Sequence, residues 1–155
     1  MSAGSLIASV AGIFLMILTA YLLAGGILDT AERVTIAQGD QILQHEMRLR
    51  TEITIDRYQY DGNTLHLYVN NTGSESIRDF SGMEVYVTNA SGVSHYTHPS
   101  GWSIESITPD VVYPGQLDPG ETLALSLPYA GGVPAAVRVV TGNGVYDSVY
   151  LSVVP

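Results

Sequence analysis

An N-terminal long transmembrane α-helix followed by an all-β immunoglobulin-like sandwich is the architecture this sequence predicts. Three observations predict it. Met1 to Leu28 contains no Asp, Glu, Lys, Arg or His. From Thr51 the apolar positions change from helical spacing to alternation. Gly, Pro and Asn then punctuate the chain at intervals of roughly 8–12 residues, the rhythm of short antiparallel strands.

The apolar run from Leu6 to Leu28 is unbroken. Its length exceeds the about 20 helical residues that cross a hydrocarbon core of about 30 Å. A cleavable secretory signal would need a basic leading segment and a small-residue cleavage site. Met1 to Ser5 has no basic residue and only Ala24-Gly25-Gly26 mimics such a site, so the helix is expected to stay attached. Small residues at Ser5, Ser9, Gly12, Ala20 and Ala24 recur at spacings of three and four along parts of the helix. Such faces let helices approach closely in lipid, which makes these residues, with Leu15, the candidates for helix assembly.

Helical spacing continues beyond the span through Ala31, Val34, Ile42, Leu43, Met47 and Leu49, without a proline. Gly39 is the weak point, costing about 1 kcal/mol relative to Ala. A helix continuous to Arg50 would be a rod on the order of 75 Å long. Its apolar stripe would need a lateral neighbour or a fold back onto the β domain. The expected divisions are therefore a transmembrane helix at 1–28, a helical stalk at 29–50 and an extracytoplasmic β-sandwich at 51–155.

In that last division Ile53 and Ile55 alternate with Thr54 and Asp56, and Tyr58 and Tyr60 continue the strand to Asp61-Gly62-Asn63. Leu65, Leu67 and Val69 form the return. Asp-Gly between alternating runs signals a hairpin whose central residues can both take positive φ. Further strands are expected at Met83–Thr88, Val93–Thr97, Trp102–Ile107, Thr122–Leu127, Ala136–Thr141 and Val145–Val153, the last two joined by Gly142-Asn143-Gly144. Without cysteine the Cys…Trp…Cys marks of antibody domains are absent, so Trp102 is a core or rim aromatic. Leu117-Asp118-Pro119-Gly120-Glu121 has the composition of a turn before a strand.

Charge and composition exclude several functions. From Thr51 onward three Arg face eleven acids, a net −8, and the chain has no Lys. Nucleic-acid binding needs clustered cations, so it is set aside. Zero cysteines remove disulfides and thiolate metal sites. His95 and His98, with Asp110 nearby in sequence, are three apart on an expected strand and so point to opposite faces. His45 and His66 read as exposed. No Gly-x-Ser-x-Gly elbow or phosphate loop occurs. No catalytic residue, metal site or cofactor is assigned. Orientation is weakly marked: Arg33, Arg48 and Arg50 favour the C-terminal side inside. The acidic domain and two glycosylation sequons, beginning at Asn70 and Asn89, favour it outside.

With these elements in place, the whole plan resembles the archaellum accessory proteins F and G, relatives of the archaeal type IV pilin-like proteins. The resemblance rests on the apolar helix starting almost at Met1, on Ala31-Glu32-Arg33-Val34, on Arg50-Thr51-Glu52-Ile53-Thr54-Ile55 leading into the sandwich, and on the Asn71-Thr72-Gly73-Ser74 turn. It implies a non-enzymatic stator component of the archaellum. The helix would sit in the cytoplasmic membrane, and the sandwich outside it would bind surface-layer protein and other archaellum subunits. Homo-oligomers are expected from the small-residue helix face. The competing expectation is an archaellin or type IV pilin-like subunit polymerising through the helix into an extracellular filament. Such subunits carry a basic residue and Gly at a peptidase site, and Met1 to Leu28 has neither Arg nor Lys.

Overall fold

The computed structural model describes the backbone of residues 3–151, with side chains at 4, 7–26, 39 and 41–151. One helix, α1 (Ala3–Arg50), precedes eight strands. The strands are β1 (Ile53–Tyr60), β2 (Thr64–Asn71), β3 (Glu84–Asn89), β4 (Gly92–Thr97), β5 (Ser103–Thr108), β6 (Thr122–Pro128), β7 (Ala136–Val140) and β8 (Tyr146–Tyr150). The chain forms two compact units, Met1–Leu43 and Gln44–Pro155, so the last turns of α1 belong with the sandwich.

The strands pair antiparallel in two four-stranded sheets, β1-β2-β6-β5 and β4-β3-β7-β8. This is the immunoglobulin order, A-B-E-D in one sheet and C′-C-F-G in the other. Alternation decides which side chains meet between the sheets. Leu65, Leu67 and Val69 of β2, Leu123, Leu125 and Leu127 of β6, and Val85 and Val87 of β3 are wholly buried, with Val137 and Val139 of β7 beside them.

A β-bulge explains why two parities point inward along β1. Ile55 pairs with Val69 and Arg57 with Tyr68, leaving Asp56 as an extra residue. The bulge turns the strand over, so that Ile53 and Ile55 face the core before it and Tyr58 and Tyr60 pack against the core after it. It also releases the Ile55 N–H from the ladder, and Asp147 of β8 accepts that N–H at 2.8 Å through Oδ2. The carboxylate thereby ties the two sheets together at their β1 and β8 edges. Glu105 is the extra residue of a second bulge, in β5.

The β1–β2 turn corrects one expectation. In this turn Gly62 alone takes positive φ, at 101°, and among the described residues no non-glycine residue does. Asp61 instead accepts the N–H groups of Asn63 at 2.9 Å and Thr64 at 2.6 Å through its carboxylate. Those two backbone donors hold its pKa below the ordinary 3.8. A depressed pKa means the turn is favoured above that value and the contribution is lost as pH falls through the lowered one. At the end of the chain the strand expected to reach Val153 is described as far as Tyr150; Ser152 and Val153 lie outside the described residues.

Trp102 belongs to the core, not to the rim, at 1% exposure. Phe80 meets its ring edge-on at a centroid distance of 6.5 Å, and its indole N–H donates to the Met83 carbonyl at 3.2 Å. Trp102→Ala is therefore expected to destabilise the sandwich by about 3–5 kcal/mol, checked by chemical denaturation of the full chain in detergent. A loss below about 1 kcal/mol would mean that the surrounding core collapses into the space.

Candidate anchor and interaction surfaces

From Ile7 to Gly26 α1 is long and apolar enough to cross a membrane, and none of that stretch is buried inside the chain. Leu15 is 59% exposed. At 3.6 residues per turn, Ser9, Gly12, Ala20 and Ala24 fall on one side of the helix. A Cβ placed on Gly12 would meet nothing within 4 Å, so this side is open to a close neighbour. The Ser5 side chain lies outside the described ones. Thr19 is the polar residue in mid-span with its hydroxyl satisfied locally, donating to the Leu15 and Met16 carbonyls at 3.0 Å. This back-bonding lets a hydroxyl reside in lipid without an orphaned donor.

The C-terminus of α1 is locked to the sandwich by backbone hydrogen bonds between residues 50–52 and 72–75. The Arg50 carbonyl, an orphan of the last turn, accepts the N–H groups of Ser74 at 2.8 Å and Glu75 at 3.2 Å. The Glu52 carbonyl accepts those of Thr72 and Gly73, both at 3.0 Å. Asn71 shapes the turn that presents these donors. It is fully buried, its amide donates to the carbonyls of Glu75 at 2.8 Å and Leu117 at 2.9 Å, and its Oδ1 accepts the Gly73 N–H at 3.1 Å. A Cβ on Gly73 would lie 2.5 Å from the Arg50 oxygen, so only glycine permits this approach. Arg48 and Arg50 in the last turn complement the negative end of the helix dipole.

Asp118-Pro119-Gly120-Glu121 is a turn with Gly120 at φ 82° and the Glu121 N–H on the Asp118 carbonyl at 3.0 Å. Both acids are buried and used on backbone. Asp118 accepts the Tyr113 N–H at 2.9 Å; Glu121 accepts those of Asp118 at 3.0 Å and Val111 at 3.3 Å.

The histidines disperse. His95 stacks on Tyr86 at 4.7 Å and its Nε2 lies 3.4 Å from Glu84 Oε2. His98 has left the strand, because β4 ends at Thr97 and the Gly101 N–H closes a turn onto the Thr97 carbonyl at 2.6 Å. Its ring packs on Trp102 at 4.5 Å. Asp110 accepts the Gly115 N–H at 3.0 Å instead of approaching either ring. His66 is half-buried and paired with Glu105 at 2.9 Å, which differs from a freely exposed position. Among the described residues no three His, Asp or Glu side chains gather around one point.

The two sequon asparagines sit differently. The Asn89 amide donates to the Tyr129 hydroxyl and the Gly131 carbonyl, both at 2.7 Å, and its Oδ1 accepts the N–H groups of Ser91 and Gly92. A glycan on that nitrogen would replace one of its two N–H donors and so break one of the two bonds it donates. Asn70 stands on β2, half-buried, with Oδ1 shielded and unbonded.

One surface escaped the sequence reading. On the outer face of β4-β3-β7-β8, Tyr86, Val93, Arg138, Tyr146 and Tyr150 border a shallow groove of about 520 Å³. The signal was present in Tyr146-Asp147-Ser148-Val149-Tyr150, where period two sends both tyrosines outward, but which sheet they join depends on pairing with β7.

The archaellum periplasmic stator protein FlaG from Sulfolobus acidocaldarius superimposes with a TM-score of 0.53, covering 65% of this chain and 99% of that one at 21% identity. The sandwich shares that protein's fold. A solved complex of FlaF and FlaG from the same organism also matches, with a TM-score of 0.51 over 65% of this chain and 89% of the other. An uncharacterized protein of Archaeoglobus fulgidus is 29% identical over 157 residues, 96% of this chain and 95% of its own. No family model matches.

Proposed function

We propose that this chain is a non-enzymatic stator component of the archaellum, held in the cytoplasmic membrane by α1, with its sandwich outside gripping the surface layer and meeting other archaellum subunits. The observation that carries this reading is the joining, in one chain, of a helix able to cross a membrane and a sandwich with the fold of a periplasmic stator protein. The stretch of near full-length similarity in an archaeon supports the helix and sandwich being one functional unit. Division of labour follows: the helix supplies anchorage through apolar area, and the sandwich supplies specific contact through its rigid outer surface.

A direct binding experiment tests it. Full-length protein, solubilised from membranes and immobilised, is expected to retain purified surface-layer protein and to remain as small detergent-bound particles by electron microscopy. An empty column together with regular filaments would instead identify a polymerising subunit of the pilin-like kind.

A further inference from the structure

Two adjacent asparagines close β2, and the fold uses only one of them. Asn71 is wholly buried and commits its amide to the Glu75 and Leu117 carbonyls and the Gly73 N–H. Alternation turns Asn70 to the outer face. Among the described residues its side chain makes no hydrogen bond: Oδ1 is enclosed and unbonded, which leaves Nδ2 as the amide atom open to solvent. Asparagine is disfavoured in strands, and an amide that bonds to nothing gives β2 no compensating stability. Sheet pairing therefore does not account for this residue.

Its surroundings suit a covalently attached sugar. Register sets Asn70 in a row with Thr54 of β1, Thr122 of β6 and Thr108 of β5. These side chains are short, so the sheet is low and lined with hydroxyls around the Asn70 nitrogen. Tyr68, two residues back, shares the outer face with its Cα about 7 Å away. Arg57 lies over one face of the Tyr68 ring, 3.9 Å from its centroid. A sugar ring has an apolar C–H face that packs on an aromatic ring, and hydroxyls that bond to threonine hydroxyls. Thr72, whose hydroxyl completes the Asn70-Asn71-Thr72 acceptor pattern, is exposed, with Oγ1 3.4 Å from Thr54 Oγ1 on the same face. Asn89 offers none of this freedom, because both protons of its nitrogen are already donated, to the Tyr129 hydroxyl and the Gly131 carbonyl.

We propose that Asn70, and not Asn89, carries an N-linked oligosaccharide. This rests on the reading above that the sandwich lies outside the membrane. The donor is an oligosaccharide joined through its first anomeric carbon to a lipid phosphate, and a membrane transferase delivers it. In the transfer Nδ2 bonds to that carbon and the bond from the carbon to the phosphate oxygen breaks. The electron pair leaves with the lipid phosphate, and one Nδ2 proton passes to solvent. No oxidant or reductant is needed. The fold loses no hydrogen bond at Asn70 when the sugar is attached, whereas at Asn89 it would lose one of the two that tie the β3–β4 turn to the segment after β6.

Full-length protein purified from the membranes of an archaeal host that glycosylates its surface proteins provides the test. Cleavage after arginine separates the two acceptors, with Asn70 on peptide 58–78 and Asn89 on peptide 79–138. Mass spectrometry is expected to find sugar on the first and none on the second, and the intact chain should be heavier than its sequence by one oligosaccharide. Asn70→Gln and Thr72→Ala should each abolish that increment, and Asn89→Gln should leave it. Thr72→Ala keeps both the Asn70 side chain and the backbone N–H that bonds to Glu52, so it removes only the acceptor pattern. Bare Asn70 in the wild-type protein, or sugar on Asn89, would overturn the proposal. Placement is read separately: the chain has no cysteine, so Tyr150→Cys, at an 86% exposed position, is treated on intact cells with a membrane-impermeant maleimide. Labelling without sugar on Asn70 overturns this proposal alone, and absence of both overturns the outward placement of the sandwich with it.

Discussion

Gly73→Ala is expected to cost the sandwich about 3 kcal/mol or more, at or beyond the upper end of overpacking effects, because the new methyl group has nowhere to go. Its neighbours would be the Glu52 nitrogen and the Arg50 oxygen, both backbone atoms that cannot rotate away as a side chain would. Relieving the clash means separating the Asn71–Ser74 turn from residues 50–52, which breaks up to four N–H···O=C bonds at once. Two of those bonds cap the last carbonyl of α1, so the local helix end should fray with the turn. A thermal midpoint lower by at least about 10 °C is the expected readout in a domain of this size. Ser74→Ala is the comparison, since it keeps the backbone donor and removes only a contact of 3.5 Å with Arg50, and it should shift stability by no more than about 0.5 kcal/mol. A Gly73→Ala protein that melts with the wild type would show that the turn and the helix end are not held by this close approach.

Leu15→Arg is expected to detach the protein from membranes. A cationic side chain at the centre of a span costs about 3 kcal/mol on insertion scales, and the lost leucine adds to it. At about 1.4 kcal/mol per tenfold, the ratio of membrane to soluble protein should fall at least about 100-fold. Position 15 lies near the middle of Ile7–Gly26, too deep for easy snorkelling to either interface. Because Leu15 belongs to the separate N-terminal unit and is not a residue of the sandwich core, the sandwich should melt as in wild type. Alkaline extraction of membranes followed by immunoblotting reads the partition, with Leu15→Ala as the size control. Retention of the Arg variant in the membrane fraction would mean that the helix packs against partners that shield the charge, as a polymeric helical core would.

Much of the fold was legible because local physics and tertiary packing agree. The uncharged run ending at Leu28 leaves few possibilities other than a lipid-facing helix. Alternation at Leu65, Leu67 and Val69 fixes which face of β2 is buried whatever strand it meets, and turn residues at Gly62 and Gly142–Gly144 mark where chains reverse. The motifs at Arg50–Ile55 and Asn71–Ser74 were visible as separate segments. What no local pattern could convey is that they touch, since their pairing is set by the β1–β2 register across more than twenty residues.

The same limit accounts for the surfaces. Sequence by itself determined that Tyr86, Arg138, Tyr146 and Tyr150 fall on expected strands, and that the sandwich half is acidic. Only the tertiary structure decided that β3, β7 and β8 are neighbours, so that these residues share one face with Glu84 while Asp147, 92 residues from Ile55 in sequence, is spent on the Ile55 N–H. Backbone preference and hydrophobic period act over a few residues and are written locally. Sheet order is a global choice made by burial of all eight strands together, and surfaces are composed from that order.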